Sequence, residues 1–428
     1  MPSPHPQNRK TVAIIGAGAA GYFAAITMAE ADPEAQVQIY EVSRRTLTKV
    51  SISGGGRCNV THHCFDPKEL VTYYPRGGKE LRGAFHKWQP RDTVDWFQSR
   101  GVSLKTEADG RMFPTTDDSQ TIITCLTETA AKAGVQLHLR TGVSAIKIQS
   151  NETAAERTSK FQITLTNGET TTASHVIIAT GGGQKNAGHA LATSVGHTIT
   201  DLAPSLFTFH IKHPLLEDLQ GLSLPEVQVS FPPAKLQQSG PIVFTHWGLS
   251  GPGILKLSAW GARVFSELNY QCELSVNWYG GAKPDEIRSA LEHSKQQNAR
   301  KALVSLNPFD FPRRFWERML AYVSISPDTQ WAQLPKKNLN QLVESIANTR
   351  LQTNGKSMNK EEFVTCGGVK LKEVDFKTMQ SRIVPNLYFA GEVLDIDGVT
   401  GGFNFQAAWT TSKLAAQAIS ADIPGTTI

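Results

Sequence analysis

The sequence predicts an α/β fold with a parallel sheet, interrupted by a β-rich insert and a smaller helical one. Three observations carry this. A strand, a glycine turn and a helix fill residues 11–30, and a second strand, glycine turn and helix close the chain over 383–419. Between them the period changes, from short alternating apolar runs over 202–281 to helical spacing over 283–348. At 428 residues the chain is long for one ordinary domain, so two or three units are expected.

The run TVAIIGAGAAGYFAAITMAE opens with an apolar stretch suited to a buried parallel strand, breaks at Gly16 and resumes as a small-residue helix. Gly16, Gly18 and Gly21 stand in the G-x-G-x-x-G arrangement, with Ala17, Ala19 and Ala20 between them. The first glycine permits the tight turn and the second lets backbone approach a pyrophosphate. The third lets the helix pack closely on its strand. AQVQIYE reads as the next strand, and Glu41 closes it 20 residues after Gly21 (41 − 21), where a carboxylate reaches a ribose hydroxyl. This is a Rossmann-like dinucleotide site; the fingerprint alone does not separate FAD from NAD.

SISGGGRCNVTH follows soon after the Glu41 strand. Cys58, His62, His63 and Cys64 invite a metal reading, but the spacing is not that of a structural zinc site and no second ligand pair appears. A redox pair of Cys58 and Cys64, and a Cys58 thiolate activated by Arg57, are further readings. The favoured one is a backbone cradle: Ser53, Gly54, Gly55, Gly56, Arg57, Cys58 and Asn59 would turn several N–H groups into one concavity, with Lys49 and Arg57 supplying positive charge. Cys58 would then be a small neighbour of the cofactor.

TGVSAIKIQS and FQITLTNGETTTA alternate as an antiparallel hairpin with an Asn167-Gly168 turn, and SHVIIATGGGQ returns as a buried strand ending at Ala179, Thr180 and Gly181. Val143, on the strand entering this ribbon, is expected near the adenine. The arrangement is that of the two-dinucleotide-fold flavoproteins.

In the middle of the chain, FTHWGLSGPG is a turn-rich stretch in which His246 is a candidate proton donor. Its plainer role is to satisfy a loop carbonyl. At the C-terminal end, LYFAG, GVTGGFN and QAAWTTSKLAAQAI make strand, turn and helix. Gly391, Glu392 and Asp395 are placed to meet the cofactor, and the N–H groups of Gly402, Phe403 and Asn404 open a helix that would favour negative charge. Cys366, in TCGGV, is expected to be small and inert.

KVSISGGGRCNVTH, ADGRMFPTTDDS, VFTHWGLSGPGILKLS, TCGGVKLKEVDFKTMQS and NLYFAGEVLDIDGVTGGFNFQAAW together strongly resemble the BaiN/YhiN-like family of NAD(P)/FAD-dependent oxidoreductases, some of whose members are labelled aminoacetone oxidases. The resemblance runs from about Thr11 to Ile419. It implies a discontinuous FAD domain made from both ends of the chain, interrupted by a β-rich, barrel-like domain and a small helical one; the change of period sets their bounds at 1–200 with 350–428, 201–281 and 282–349. It also places the Ser53–Asn59 loop in the FAD site.

The expected activity is NAD(P)H-dependent reduction of a small organic substrate by flavin hydride transfer. Without a second G-x-G-x-x-G, NADH or NADPH would bind only transiently. An amine or alcohol oxidase using oxygen is the alternative, and an RNA-acting or non-catalytic flavin-binding protein is the alternative of another class. The net charge of +5, from 43 basic and 38 acidic residues, is spread along the chain, so nucleic acid is not the expected partner. The polar, proline-rich MPSPHPQNRK and the absence of an apolar run near ~18 residues point to a cytoplasmic protein. Five irregularly spaced cysteines suit reduced thiols.

Overall fold

The computed structural model describes residues 9–150, 159–183, 186–357 and 364–422. The chain forms two compact units, Met1–Ala203 with Phe363–Ile428, and Pro204–Glu362.

The first unit is built on a seven-stranded sheet. Its order is Val374–Asp375, Gln380–Ser381, Leu387–Phe389, His175–Ile178, Thr11–Ile15, Gln36–Tyr40 and Gln136–His138. The five strands from Leu387–Phe389 to Gln136–His138 are parallel, with Ile14 opposite Ile39 on one side and Ile177 on the other. TVAII, HVII and LYF are almost wholly apolar because both faces of the sheet are covered.

The helix Ala19–Ala31 is buried along most of its length, and its alanines bring it close to the C-terminal helix Phe403–Ser420. There the Ser412 hydroxyl donates to the Ala20 carbonyl at 2.8 Å. The two ends of the chain are thereby joined in one core.

Val143–Ser150, Ser159–Leu165 and Thr170–Ala173 form an antiparallel sheet. Asn167-Gly168 turns between the last two strands, where Asn167 Oδ1 accepts the Glu169 N–H at 3.0 Å and Gly168 takes φ +88°. A further small sheet, Thr61–His62, Arg111–Pro114 and Leu104–Thr106, has no counterpart in the sequence reading. Its strands are two to four residues long, too short for a period to register.

The second unit is a closed six-stranded barrel in the order Phe209–Ile211, Gly248–Ser250, Leu236–Phe244, Ser223–Phe231, Glu273–Asn277 and Thr349–Lys356. Two expected boundaries shift here. The helices Pro284–Gln297, Arg313–Tyr322 and Lys336–Ala347 do not stand apart, because Ile287, Leu291, Phe315, Trp316, Leu342 and Ile346 share one apolar core with barrel residues such as Val229, Phe244 and Leu274. The chain also returns to the first unit near 363 rather than 350. Thr349–Lys356 must first close the barrel, pairing Leu351 with Leu274. Among the described residues, no helix is long and apolar enough to cross a membrane.

Candidate cofactor site in the first unit

The glycine turn after Thr11–Ile15 is fixed by close contacts. Gly16 has φ +106°, and a Cβ there would lie 2.6 Å from the Ala179 carbonyl oxygen. A Cβ at Gly21 would lie 1.9 Å from the Gly16 oxygen. Gly18 differs: it caps the helix Ala19–Ala31 without a side-chain hydrogen bond, and a Cβ there would meet nothing within 4 Å. The helix N-terminus at Ala19 and Ala20 therefore has open space in front of it, lined by unpaired N–H groups, which fits a pyrophosphate.

Glu41 lies at the end of the neighbouring strand. Its Oε2 accepts the Ala17 N–H at 2.8 Å and its Oε1 accepts the Ser43 N–H at 2.9 Å. The carboxylate is held beside the glycine turn with acceptor capacity left for ribose hydroxyls.

Ala179, Thr180 and Gly181 follow His175–Ile178, and the first two pack over Gly16. Thr180 Oγ1 is buried without a partner, and Gly181 takes φ +76°. Gly391, with φ +75°, brings the C-terminal segment against the Ala20 side chain and donates its N–H to Thr411 Oγ1 at 3.0 Å. Next to it Glu392 pairs with Lys49 at 2.5 Å and accepts the Gly182 N–H at 3.4 Å. Lys49, Glu392 and Gly182 thus converge from three distant stretches of chain.

The loop from Ser53 to Asn59 ends the helical stretch Thr48–Gly56. Ser53 is extended, while Gly54, Gly55 and Gly56 take φ +58°, +71° and +86° in succession. A Cβ at Gly54 would strike Phe113 at 2.7 Å; at Gly55 and Gly56 it would meet nothing within 4 Å. The backbone is concave and open, as a cradle requires. Its charge is not as expected, because Arg57 is paired with Glu107 at 2.6 Å and Asp117 at 3.6 Å and lies over the Phe113 ring, and Lys49 is paired with Glu392. Acidic partners balance both cations, so positive charge in the loop is local rather than net.

The Cys58 side chain is fully buried at φ +64°. Burial pushes its thiol up to about 12, against a smaller opposing effect of the Ser53 hydroxyl. This corrects the activated-thiolate reading: Arg57 is turned to carboxylates, and desolvation disfavours the anion. Burial also raises Cys64, to about 11, and none of the five cysteines is disulfide-bonded. His62 Nε2 donates to the Asp109 carbonyl oxygen at 3.1 Å and the Cys64 thiol donates to the Asp66 carbonyl at 3.9 Å, so these two side chains of the metal reading are engaged separately. Among the described residues, no group of three or more His, Cys, Asp or Glu could hold a metal ion.

Phe403 and Asn404 begin the C-terminal helix behind Gly402, which has φ +90°. With the Asn59 amide turned so that both its ends find partners, its oxygen accepts the Gly402 N–H at 2.9 Å and its nitrogen donates to the Thr61 carbonyl at 3.1 Å. This removes Gly402 from the expected anion-facing set and leaves the first-turn N–H groups of Phe403 and Asn404. The Asn404 side chain closes its own loop on Gly398, at 2.8 and 2.9 Å. Asp395 is buried and accepts the Gly367 N–H at 3.1 Å, which fixes the turn after Cys366, itself buried.

Sequence reading did not find the aromatic group around this helix start. The rings of His62 and Tyr73 lie 4.6 and 4.5 Å from that of Phe403, and the Tyr74 hydroxyl donates to the Phe403 carbonyl at 2.6 Å. Nor did it find the ion pair of Arg76 with the fully buried Asp397. No local motif marks these residues, because their partners lie more than 300 positions away.

Val143 is buried in the ribbon opposite Leu165, so its side chain serves packing there. His246 lies in the second unit, exposed, in the turn between Leu236–Phe244 and Gly248–Ser250.

The HI0933-like protein Rossmann domain matches residues 10–418. A ribosomal RNA dihydrouridine synthase of Escherichia coli is 30% identical over 414 residues, covering 94% of this chain and 96% of that one. A 3-dehydro-bile acid delta(4,6)-reductase of Clostridium scindens is 27% identical over 424 residues, covering 95% and 98%. Among solved structures, the open conformation of a flavocytochrome c3 fumarate reductase matches with a TM-score of 0.50 at 14% identity, covering 97% of this chain and 79% of that one. The 3-ketosteroid delta1-dehydrogenase of Sterolibacterium denitrificans matches with a TM-score of 0.50 at 12% identity, covering 96% and 100%. At these identities the solved structures establish likeness of fold.

Proposed function

The chain belongs to the HI0933-like Rossmann-domain family and is an FAD-dependent oxidoreductase, and from that premise we propose that it reduces a carbon–carbon double bond conjugated to a carbonyl, in a uracil ring of ribosomal RNA, with electrons from NADH or NADPH. Two relatives named for unlike substrates support the reaction type. Dihydrouridine differs from uridine by saturation of C5=C6, which is conjugated to the C4 carbonyl, and a 3-dehydro-Δ4,6 steroid presents the same C=C–C=O unit. The RNA substrate class is taken from the 30% identical relative, which sets aside the expectation that nucleic acid is not a partner.

The observation that carries the flavin reading is the unsealed helix N-terminus behind Gly18, with Glu41 held beside it. The Gly16–Gly21 turn would receive the pyrophosphate, Glu41 the ribose, and the Gly54–Gly56 backbone with Lys49 and Glu392 the flavin end. When bound, the flavin supplies a hydride to the β-carbon of the conjugated unit, and a proton at the α-carbon completes the reduction. The N–H groups of Phe403 and Asn404 would hold negative charge at the ring edge. His246 is the candidate donor of the proton. Cys58 would pack as a neutral thiol.

The test is incubation of FAD-loaded protein with unmodified ribosomal RNA transcript and NADPH or NADH under anaerobic conditions, followed by mass spectrometry of nucleosides. Gain of two hydrogens on uridine supports the proposal. Hydrogenation of a 3-oxo-Δ4 steroid with untouched RNA would keep the reaction type and overturn the substrate class. Failure of both would overturn the reaction type.

A further inference from the structure

The second unit displays one aromatic residue in a manner that packing does not explain. Trp247 is 66% exposed, against 39% for Trp260, whereas Trp278, Trp316 and Trp331 of the same unit are fully buried. Its backbone is firmly held. The Thr245 hydroxyl accepts the N–H groups of Trp247 at 3.3 Å and Gly248 at 3.2 Å, and the Thr245 N–H donates to the Gly248 carbonyl at 2.8 Å. The Trp247 carbonyl accepts the Ile211 N–H at 2.9 Å. Gly248, at φ +146°, lets the turn lie directly on Phe209–Ile211, since a Cβ there would come within 2.5 Å of the Phe209 oxygen.

The indole is backed as well. The His210 ring stacks on it, with centroids 5.6 Å apart and planes inclined by 24°. One face is thus supported and most of the ring remains in solvent. Lys212 follows two residues after His210, and Lys356 is the partner of Phe209 on the neighbouring strand, its ammonium 5.4 Å from the centre of the Tyr270 ring. Neither lysine forms an ion pair among the described residues, whereas Arg318 and Arg350 of this unit do.

A flat ring in solvent, prevented from collapsing by a stacked imidazole, with lysines on its own and the neighbouring strand that form no ion pair among the described residues, has the elements of single-strand nucleic-acid recognition. Any base can stack on such a ring, and lysines neutralise the flanking phosphates. We propose that Trp247, backed by His210, is the stacking platform for an unpaired base of the RNA substrate, with Lys212 and Lys356 neutralising adjacent phosphates. This rests on the RNA reading above and assigns the binding surface to the barrel unit. A steroid would also cover an indole, but it would draw nothing from the lysines.

The test is titration of FAD-loaded protein with a short oligouridine across a salt series, followed by tryptophan emission. Trp247→Ala is expected to weaken binding about tenfold or more, and Trp247→Phe to keep most of the affinity while losing the quenched emission. The salt slope should be unchanged in Trp247→Ala. It should become shallower by about 1.4 in Lys212→Ala/Lys356→Ala, at about 0.7 per single-strand phosphate contact. Wild-type affinity in Trp247→Ala, with uridine in RNA still hydrogenated by the wild-type protein, would overturn the platform and leave the RNA reading standing. A wild-type protein that neither binds nor modifies RNA would overturn both, and loss of steroid binding alone in Trp247→Ala would replace the base with a steroid.

Discussion

Lys49 and Glu392 lie 343 residues apart in the chain and meet at 2.5 Å, so that the segment before the Gly54–Gly56 turn is tied to the strand end at Gly391. The lysine side chain is 42% exposed, and a pair this open contributes little to stability on its own. Its value lies in position. Glu392→Gln is therefore expected to leave the melting temperature of the flavin-free protein nearly unchanged and to weaken FAD binding by about tenfold, the usual effect of losing a hydrogen bond to a charged group. Fluorescence titration with FAD checks this, and an unchanged dissociation constant would remove the pair from the cofactor site.

The three fingerprint glycines should not behave alike. Gly18→Ala adds a Cβ where nothing stands within 4 Å, so the protein should fold and melt normally yet fail to retain FAD, because the methyl group enters the space left for the pyrophosphate. Gly21→Ala places its Cβ 1.9 Å from the Gly16 oxygen and should reduce soluble, folded protein itself. Circular dichroism and flavin content, measured together, separate the two outcomes. Normal FAD retention in Gly18→Ala would move the phosphate site elsewhere.

Cys58 should be chemically quiet. With its thiol pushed up to about 12 by burial, iodoacetamide at pH 8 should leave it unmodified in the native protein and modify it after denaturation, as read by peptide mass spectrometry. Cys58→Ser should keep FAD bound and reducible. Rapid native alkylation at Cys58, together with loss of flavin reducibility in the serine variant, would restore a reactive thiol.

His175, on the central strand His175–Ile178, is lowered to about 4, first by burial and then by Lys10. The folded value lies below the unfolded one near 6.5, so the contribution is full above pH 6.5. It is lost as pH falls toward 4, because the unfolded chain takes up a proton that the fold excludes. Thermal melts should show His175→Gln losing about 1–3 kcal/mol less than the wild-type protein across that window, at about 1.36 kcal/mol per pH unit of difference. Parallel pH curves for the two proteins would refute this.

The parts legible in the sequence were those with a local signature. Gly16, Gly18, Gly21 and Glu41 could be placed because a strand, a turn and a helix within 31 residues (11–41) constrain one another. The Asn167-Gly168 turn could be placed because its dipeptide specifies its geometry. The barrel closure at Thr349–Lys356 was missed because TRLQTNGK follows a helix directly and its partner strands are distant. The charge of the glycine loop was misjudged for a related reason: Arg57 and Lys49 look uncompensated in sequence, and Glu107, Asp117 and Glu392 become their partners only through tertiary contact. A reactive thiolate was one reading of Cys58 beside an arginine, with a small neighbour of the cofactor favoured; what separates the two is burial, which adjacency in sequence does not report.

The most direct test is an anaerobic sequence in one cuvette: FAD-loaded protein, then NADPH or NADH, then unmodified ribosomal RNA. Bleaching of the flavin by the nicotinamide, followed by return of its absorbance on addition of RNA with one dihydrouridine formed per flavin reoxidised, is the expected result. Bleaching only by an amine or alcohol, or flavin that stays reduced in the presence of RNA and returns only with oxygen, would contradict it.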